Sequence, residues 1–357
     1  MAIETFVVTS LDEVPISRWR AFLDALPSGH YSQDPTWGVV QEHLSAKRPR
    51  HAVFSWSEDD GRLCLAAAGV RRDSPIPGWG YYDFFRGPSF ERTECLESWV
   101  AQVVPQLRRD GLVLIVAPHL RLDSGGDRVE SILRTHGFLR DKRQGTWGTL
   151  ESDLAKAESE LWDSFPSKTR RAIRRGQREG IEVRCEDDPG GWQAFVDLHR
   201  ELAARTGISP FSLGDIEALS RLWLCGGAGG TVLVARISGV PVAAFIVLVH
   251  RHVAYLLAGS ATRTRGSIPV NYVLVWEVMR WAQSRGCRVL DFVGYSLTAK
   301  PGDPLWGPNC FKSRFFRKAE PRLYCAAHEL ALAPRKYAVA RFAKRTSELA
   351  HQRRGGR

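Results

Sequence analysis

Hydrophobic positions along the chain fall into two rounds of one alternation. Up to about residue 150, the short apolar runs FVV near the N-terminus, HAVFSW at 51–56, LCLAAAGV at 63–70 and LVLIVAPHL at 112–120 have the length and bounds of strands. Between them Ile16 to Leu26, Trp37 to Leu44 and Leu96 to Leu107 space their apolar residues by three and four, which predicts amphipathic helices. After residue 150 the pattern restarts with a helix over about 158–179, a strand IEVRC at 181–185, and helices over about 189–206 and 213–224. TVLVARI at 231–237, VAAFIVLVH at 242–250 and VAYLLAG at 253–259 then follow at short intervals, with a Ser238-Gly239 turn after the first, and read as an antiparallel meander. A helix from about Asn271 to Ser284, a strand RVLDFVG at 288–294 and a Gly/Pro-rich loop from Tyr295 to Pro308 complete the second round.

The repetition predicts two α/β domains of a duplicated acyltransferase type with mixed central sheets, over 1–150 and 151–334. Residues 335–357 hold eight Lys or Arg against the single acid Glu348 and are expected to form a frayed basic helix and tail. No heptad pattern is sustained long enough to insert a coiled-coil arm. At 357 residues and 44% hydrophobic, the chain can bury two cores of ordinary size.

A formal net charge of +11 points to an anionic partner: nucleic acid, a phosphorylated substrate, or peripheral association with a membrane surface. The seven cysteines are odd in number and form no CxxC pair, which argues against a disulfide framework or zinc knuckle and fits a reducing cytoplasm. The acidic N-terminus and the absence of any uninterrupted apolar run of ~18 residues speak against a secretory leader or membrane span.

Two segments carry candidate chemistry. Lys168 to Arg178 packs six basic residues into eleven with no acid, and on a helix Arg170, Arg174 and Arg178 align at four-residue steps with Arg171 and Arg175 alongside. That arrangement serves equally as a solvated face or as a phosphate-binding stripe, and arginine's fixed fork of donors suits phosphate oxygens. The run Gly259 to Gly294 ends a strand at a polar loop and starts a helix near Asn271, a turn that exposes backbone N–H groups to an acyl donor or anion. A plain crossover helix packing through Val273, Trp276, Val278 and Trp281 accounts for the same apolar positions.

In order along this stretch stand Pro269, Trp276-Glu277, Gly286, Asp291-Phe292, Gly294, and Phe311-Lys312 with Phe315. This series resembles the C-terminal half of the Fem family of peptidoglycan-bridge aminoacyltransferases. Upstream, Arg86-Gly87-Pro88 after Tyr81-Tyr82, Trp37 within SQDPTWGVV, and LWDSFPSKTRRAIRRGQREGIEV are similar to family segments, so the likeness extends over roughly 30–320. The resemblance implies a pair of acetyltransferase-like (GNAT-like) domains, no metal and no bound cofactor, with aminoacyl-tRNA as co-substrate. It further implies transfer of an amino acid to an amino group of a peptide-like or small-amine acceptor. By the same likeness Lys312 of the Phe311-Lys312 pair lies at the active centre, where an ammonium stabilises charge developing on the carbonyl or leaving oxygen. Tyr255 matches the region of an acceptor-contacting tyrosine and serves equally as a core aromatic, and Arg86, Trp37, Gln41 and Asn271 are the further substrate-binding candidates, with Arg170, Arg171, Arg174, Arg175 and Arg178 for tRNA phosphates. Asp291, inside an apolar strand, is expected to orient its neighbours.

The family pattern is broken at four places. Gln41 stands where members that act on the UDP-linked precursor carry a lysine, Ala117-Pro118 replaces Asp-Pro, no Arg-x-x-x-Tyr occurs in 207–216, and Tyr295 replaces a second loop glycine. The acceptor therefore stays open between a cell-wall precursor and a natural-product amine. The main rival activity is a CoA-dependent N-acyltransferase, whose pyrophosphate turn has its nearest counterpart in Arg263 to Ile268, ending in a bulky isoleucine. A non-catalytic nucleic-acid-binding role would leave the Phe-Lys motif without a purpose.

Overall fold

The computed structural model describes residues 3–44, 49–74, 76–77, 79–141, 147–208, 211–224, 229–262 and 268–342. The chain divides into two compact units, one made of residues 1–42, 46–144 and 324–357 and the other of 43–45 and 145–323. The expected division at 150 and 334 is corrected at its second boundary. Strand His328–Ala331 pairs with Gly111–Val116 and Leu139–Arg140, so the chain has returned to the first unit by Tyr324. Residues 334–342 are helical as expected, and 343–357 lie outside the described residues.

Both units follow one plan. In the first, Glu4–Val8, Arg50–Asp59, Arg62–Arg72 and Gly80–Phe84 pair antiparallel in that order, and Gly80–Phe84 then pairs parallel with Gly111–Val116 after the crossover helix Thr93–Leu107. In the second, Ile181–Cys185, Gly230–Ile237, Val240–His250 and Val253–Ala261 form the antiparallel series. Helix Val270–Ser284 then crosses over to Val289–Asp291, parallel to Val253–Ala261, and Glu151–Asp153 closes the far edge. A parallel neighbour requires such a crossover, because a hairpin can only return antiparallel.

The meander arises where alternating apolar runs meet residues able to reverse the chain. Ser238 and Gly239 both take positive φ, 49° and 78°, which gives a two-residue turn whose twist matches the flanking strands. Helix Val270–Ser284 buries Val273, Leu274, Val278 and Met279 against this sheet, and each such side chain contributes about 1.5–3 kcal/mol when fully buried. Trp276 is buried with them, while Trp281 is only partly covered.

Three elements depart from the patterning. The helix expected over 158–179 is two helices, Glu158–Ser164 and Ser167–Arg178, because Pro166 holds extended backbone at the break (ψ 146°) and has no N–H to continue the ladder. The strand over 288–294 stops at Asp291, since Val293 and Gly294 turn into the left-handed region. The presumed loop 295–308 contains the start of an unexpected helix, Trp306–Ser313, which carries Phe311 and Lys312. Pro308 lies within its first turn, where a missing N–H removes no helical bond. No helix among the described residues is long and apolar enough to cross a membrane.

Candidate active site

The second unit contains a cavity of about 450 Å³ between the ends of strand Val253–Ala261, the start of helix Val270–Ser284 and helix Trp306–Ser313. Its walls are mainly carbon. Phe245 stands across the strand pair from Gly259, and a Cβ on Gly259 would meet the Phe245 ring at 1.8 Å, so only glycine lets that ring lie against the strand. Phe311, Phe292 and Leu256 continue the apolar wall. Phe311 is fixed edge-on to Tyr272 and Phe315, with centroids 5.6 and 5.3 Å apart, which anchors its helix to the core.

Lys312 lines this cavity from the same helix. Its Nζ donates to the carbonyl oxygens of Val293 and Gly294, the latter at 2.6 Å. Both oxygens are available because Val293 and Gly294 adopt φ of 47° and 60° in succession. A β-branched residue rarely takes that conformation, so the turn is held by its surroundings. Asp291 supplies the hold: its Oδ1 accepts from the Val293 N–H at 2.6 Å and from the Thr149 hydroxyl. Asn309 ties the helix to the strand after the turn, accepting from Ser296 N at 3.2 Å and donating to Ser296 O at 2.6 Å. The expected positioning role of Asp291 is thus visible in its contacts.

Burial pushes the Lys312 ammonium down to about 8, and the nearby Asp291 carboxylate works against that fall. Lysine has three N–H donors and no acceptor, so two bonds to carbonyls leave one N–H uncommitted. An ammonium held by backbone oxygens in an apolar wall is suited to stabilise negative charge on a substrate oxygen.

The other sequence candidates separate into distinct places. Asn271 lines the Lys312 cavity, as does Ser260, which sequence reasoning missed. A single serine ending an apolar strand gives no linear signal of what it faces. Tyr255 does not line the cavity: it is 3% exposed within the sheet, the position of a core aromatic. Trp37 and Gln41 line a separate cavity of about 210 Å³ in the first unit, together with Arg72 and Asp83, whose side chains pair at 2.6 Å. Desolvation raises the Asp83 carboxyl, and Arg72 opposes that rise. Arg86 lies outside this cavity's lining, with its guanidinium over the rings of Phe85 and Tyr324 at 5.3 and 5.5 Å.

Helix Ser167–Arg178 turns Thr169, Ile173 and Gly176 inward, and Arg170, Arg171, Arg174 and Arg178 line a broad surface depression. Arg175 is not part of that lining and pairs with Glu179 at 3.4 Å. Arg170 is paired with Asp163 at 2.6 Å, and Arg174 lies 5.3 Å over the Trp162 ring. The Arg263 to Ile268 turn considered for CoA falls, except for Ile268, outside the described residues.

Known proteins share this architecture. A family model described as an acetyltransferase (GNAT) domain matches residues 164–304. The UDP-N-acetylmuramoylpentapeptide-lysine N(6)-alanyltransferase of Weissella viridescens is 26% identical over 345 residues, which cover 92% of this chain and 96% of that one. Among solved structures, FemX matches with a TM-score of 0.77 at 14% identity, over 94% of this chain and 99% of that one. A tandem GNAT protein from the clavulanic acid biosynthesis pathway matches with a TM-score of 0.57 at 12% identity, over 93% and 99%. Two acetyltransferase-type units in tandem are therefore the fold, as the duplicated patterning predicts.

Proposed function

On the premise that this is a Fem-like chain of tandem acetyltransferase fold, we propose that it moves an amino acid from aminoacyl-tRNA to an amino group of a peptide-like acceptor. The relative from Weissella viridescens, an alanyltransferase named for a UDP-linked muramoylpentapeptide lysine, supports a peptidoglycan precursor as that acceptor. The observation that carries the reading is Lys312, a desolvated ammonium with one donor to spare in a cavity large enough for an aminoacyl ester.

In the reaction, the acceptor nitrogen attacks the ester carbonyl carbon and forms the C–N bond. The bond from that carbon to the terminal ribose oxygen then breaks. One proton leaves the attacking nitrogen and one ends on the freed ribose hydroxyl. Lys312 stabilises the negative charge that passes from the carbonyl oxygen to the ribose oxygen, and such electrostatic help is worth about 3–4 kcal/mol in comparable sites. No base of tuned pKa is required, because an unprotonated amine attacks an activated ester directly.

Arg170, Arg171, Arg174 and Arg178 take phosphates of the tRNA, an assignment supported by their shared depression and by the net charge. The first-unit cavity of about 210 Å³, with the Trp37 indole, the Gln41 amide and the Arg72–Asp83 pair, is suited to hold a small part of an acceptor and not the whole of it. Gln41 brings no charge, so diphosphate recognition is not concentrated at that position. Purified protein given a UDP-linked muramoylpentapeptide with either charged tRNA or acyl-CoA tests the donor. Ribonuclease-sensitive transfer is expected, and transfer from acyl-CoA that ribonuclease leaves untouched overturns the reading.

A further inference from the structure

The cavity beside Lys312 has a polar feature that charge stabilisation does not use. Ser260 Oγ and Asn271 Oδ1 both belong to residues lining it, both atoms are buried, and neither has a hydrogen-bond partner among the described residues. Ser260 as a residue is only 5% exposed. Nearly all buried polar atoms in folded proteins are paired, so two orphaned oxygens on one cavity are an exception that calls for a ligand. The amide oxygen of Asn271 can only accept, and the Ser260 hydroxyl can accept as well. The complementary group is therefore a compact hydrogen-bond donor, set in a pocket whose remaining wall is largely apolar, with Phe245, Leu256, Phe292 and Phe311, and also includes Arg205, whose charge is paired with Glu201 at 3.4 Å.

Resting on the aminoacyl-tRNA reading above, we infer that Ser260 and Asn271 bind the α-amino group of the amino acid being transferred. An aminoacyl ester carries that donor one carbon from the reacting carbonyl, within the reach of a cavity that also holds the Lys312 ammonium. A simple acyl group of the same size has no donor at that carbon and would leave both oxygens unpaired. The pair is thus the element that distinguishes an aminoacyl donor from a plain acyl donor, independent of the tRNA portion. Lys312 makes no hydrogen bond to either oxygen: two of its donors are held by Val293 and Gly294, and the third is the one assigned to the substrate oxygen.

The test compares alanyl-, lactyl- and propionyl-tRNA, three donors that differ only in carrying an ammonium, a hydroxyl or a hydrogen on the α-carbon. Transfer to a UDP-linked muramoylpentapeptide is measured with the wild-type protein, Ser260→Ala, Asn271→Leu and the double variant. Comparing the alanyl-to-propionyl ratio of kcat/KM between proteins cancels the intrinsic reactivity of each ester. That ratio is expected to fall by about tenfold or more in the double variant, with lactyl intermediate. A ratio unchanged by the substitutions, while alanyl transfer continues, overturns the assignment and leaves the donor reading intact. Failure of the wild-type protein to use any of the three tRNAs overturns the donor reading itself. Should the double variant not fold, Ser260→Ala alone removes one oxygen without adding bulk; a fall in its ratio supports the assignment, and an unchanged ratio overturns it.

Discussion

Replacing Lys312 by methionine removes the ammonium while keeping a side chain of similar length, and its effects on stability and on rate separate. On the stability side, two charge-assisted bonds to Val293 O and Gly294 O disappear, each worth about 1.5–3 kcal/mol. Against this, the variant no longer buries a charge. A pKa lowered from 10.5 to about 8 corresponds to about 3 kcal/mol of destabilisation of the charged form, so against about 3–6 kcal/mol of lost bonds the net loss of stability at neutral pH is about 0–3 kcal/mol. On the rate side nothing compensates, and loss of one donor to developing oxygen charge costs about 10²–10³ in kcat. The assay is single-turnover transfer of a labelled amino acid from aminoacyl-tRNA, alongside urea unfolding. The sign of the pH dependence gives a second check. Between about 8 and 10.5 the folded protein has released the Lys312 proton and the unfolded chain still holds it, so this group adds stability as pH rises through that window. The difference in unfolding free energy between wild type and Lys312→Met therefore shifts towards the wild type there, while the wild-type transfer rate loses its Lys312-dependent part above about pH 8. Unchanged turnover, or a loss of activity matched by global unfolding at neutral pH, refutes the reasoning.

Asp291→Asn removes the carboxylate that supports the Lys312 charge, so the alkaline fall in transfer rate is expected at lower pH than in the wild type, and a pH–rate profile that does not move rules this out. Arg170→Ala, Arg174→Ala and Arg178→Ala together are expected to raise KM for charged tRNA and flatten its salt dependence by about 0.7–0.9 in log–log slope for each phosphate no longer engaged; an identical slope would contradict phosphate binding by this helix. Gly176→Ala places a Cβ 2.5 Å from Val273 Cγ2 and 2.9 Å from Ile181 Cδ1. Overpacking of about 1–3 kcal/mol then outweighs the gain of about 1 kcal/mol in helix propensity, and a urea midpoint at or above the wild-type value would show otherwise.

Much of the architecture is legible because local rules and the fold agree. The second unit's meander follows from period-two apolar runs joined at Ser238-Gly239, and helix Val270–Ser284 from its three- and four-residue spacing. Strand Gly80–Phe84 escapes such reading because it is short and its aromatic Tyr81-Tyr82 gives little alternation to see. Helix Trp306–Ser313 is hidden by the surrounding punctuation, Gly302, Pro304, Gly307 and Pro308, though a proline in the first turn does not forbid a helix. At the site, Lys312 is legible through the motif around it, as is the helix-start position of Asn271. What is not legible is the lowered pKa of Lys312, the exclusion of Tyr255, or the pairing of Ser260 with Asn271 in one cavity. Each depends on burial and on neighbours distant in sequence, such as Thr149 and Asp291, which linear patterning does not bring together.

The late return of strand His328–Ala331 to the first unit bears on how the nascent chain acquires its structure. Strands Gly111–Val116 and Leu139–Arg140 leave the ribosome long before the segment that must lie between them, so the first sheet waits with a gap until nearly the whole polypeptide has been synthesised. Residues 145–323, by contrast, are continuous and hold every strand of their own main sheet. During translation the half encoded second is therefore positioned to finish folding first, and the half encoded first carries unpaired strand edges through that interval, the stage at which intermolecular strand pairing competes with maturation.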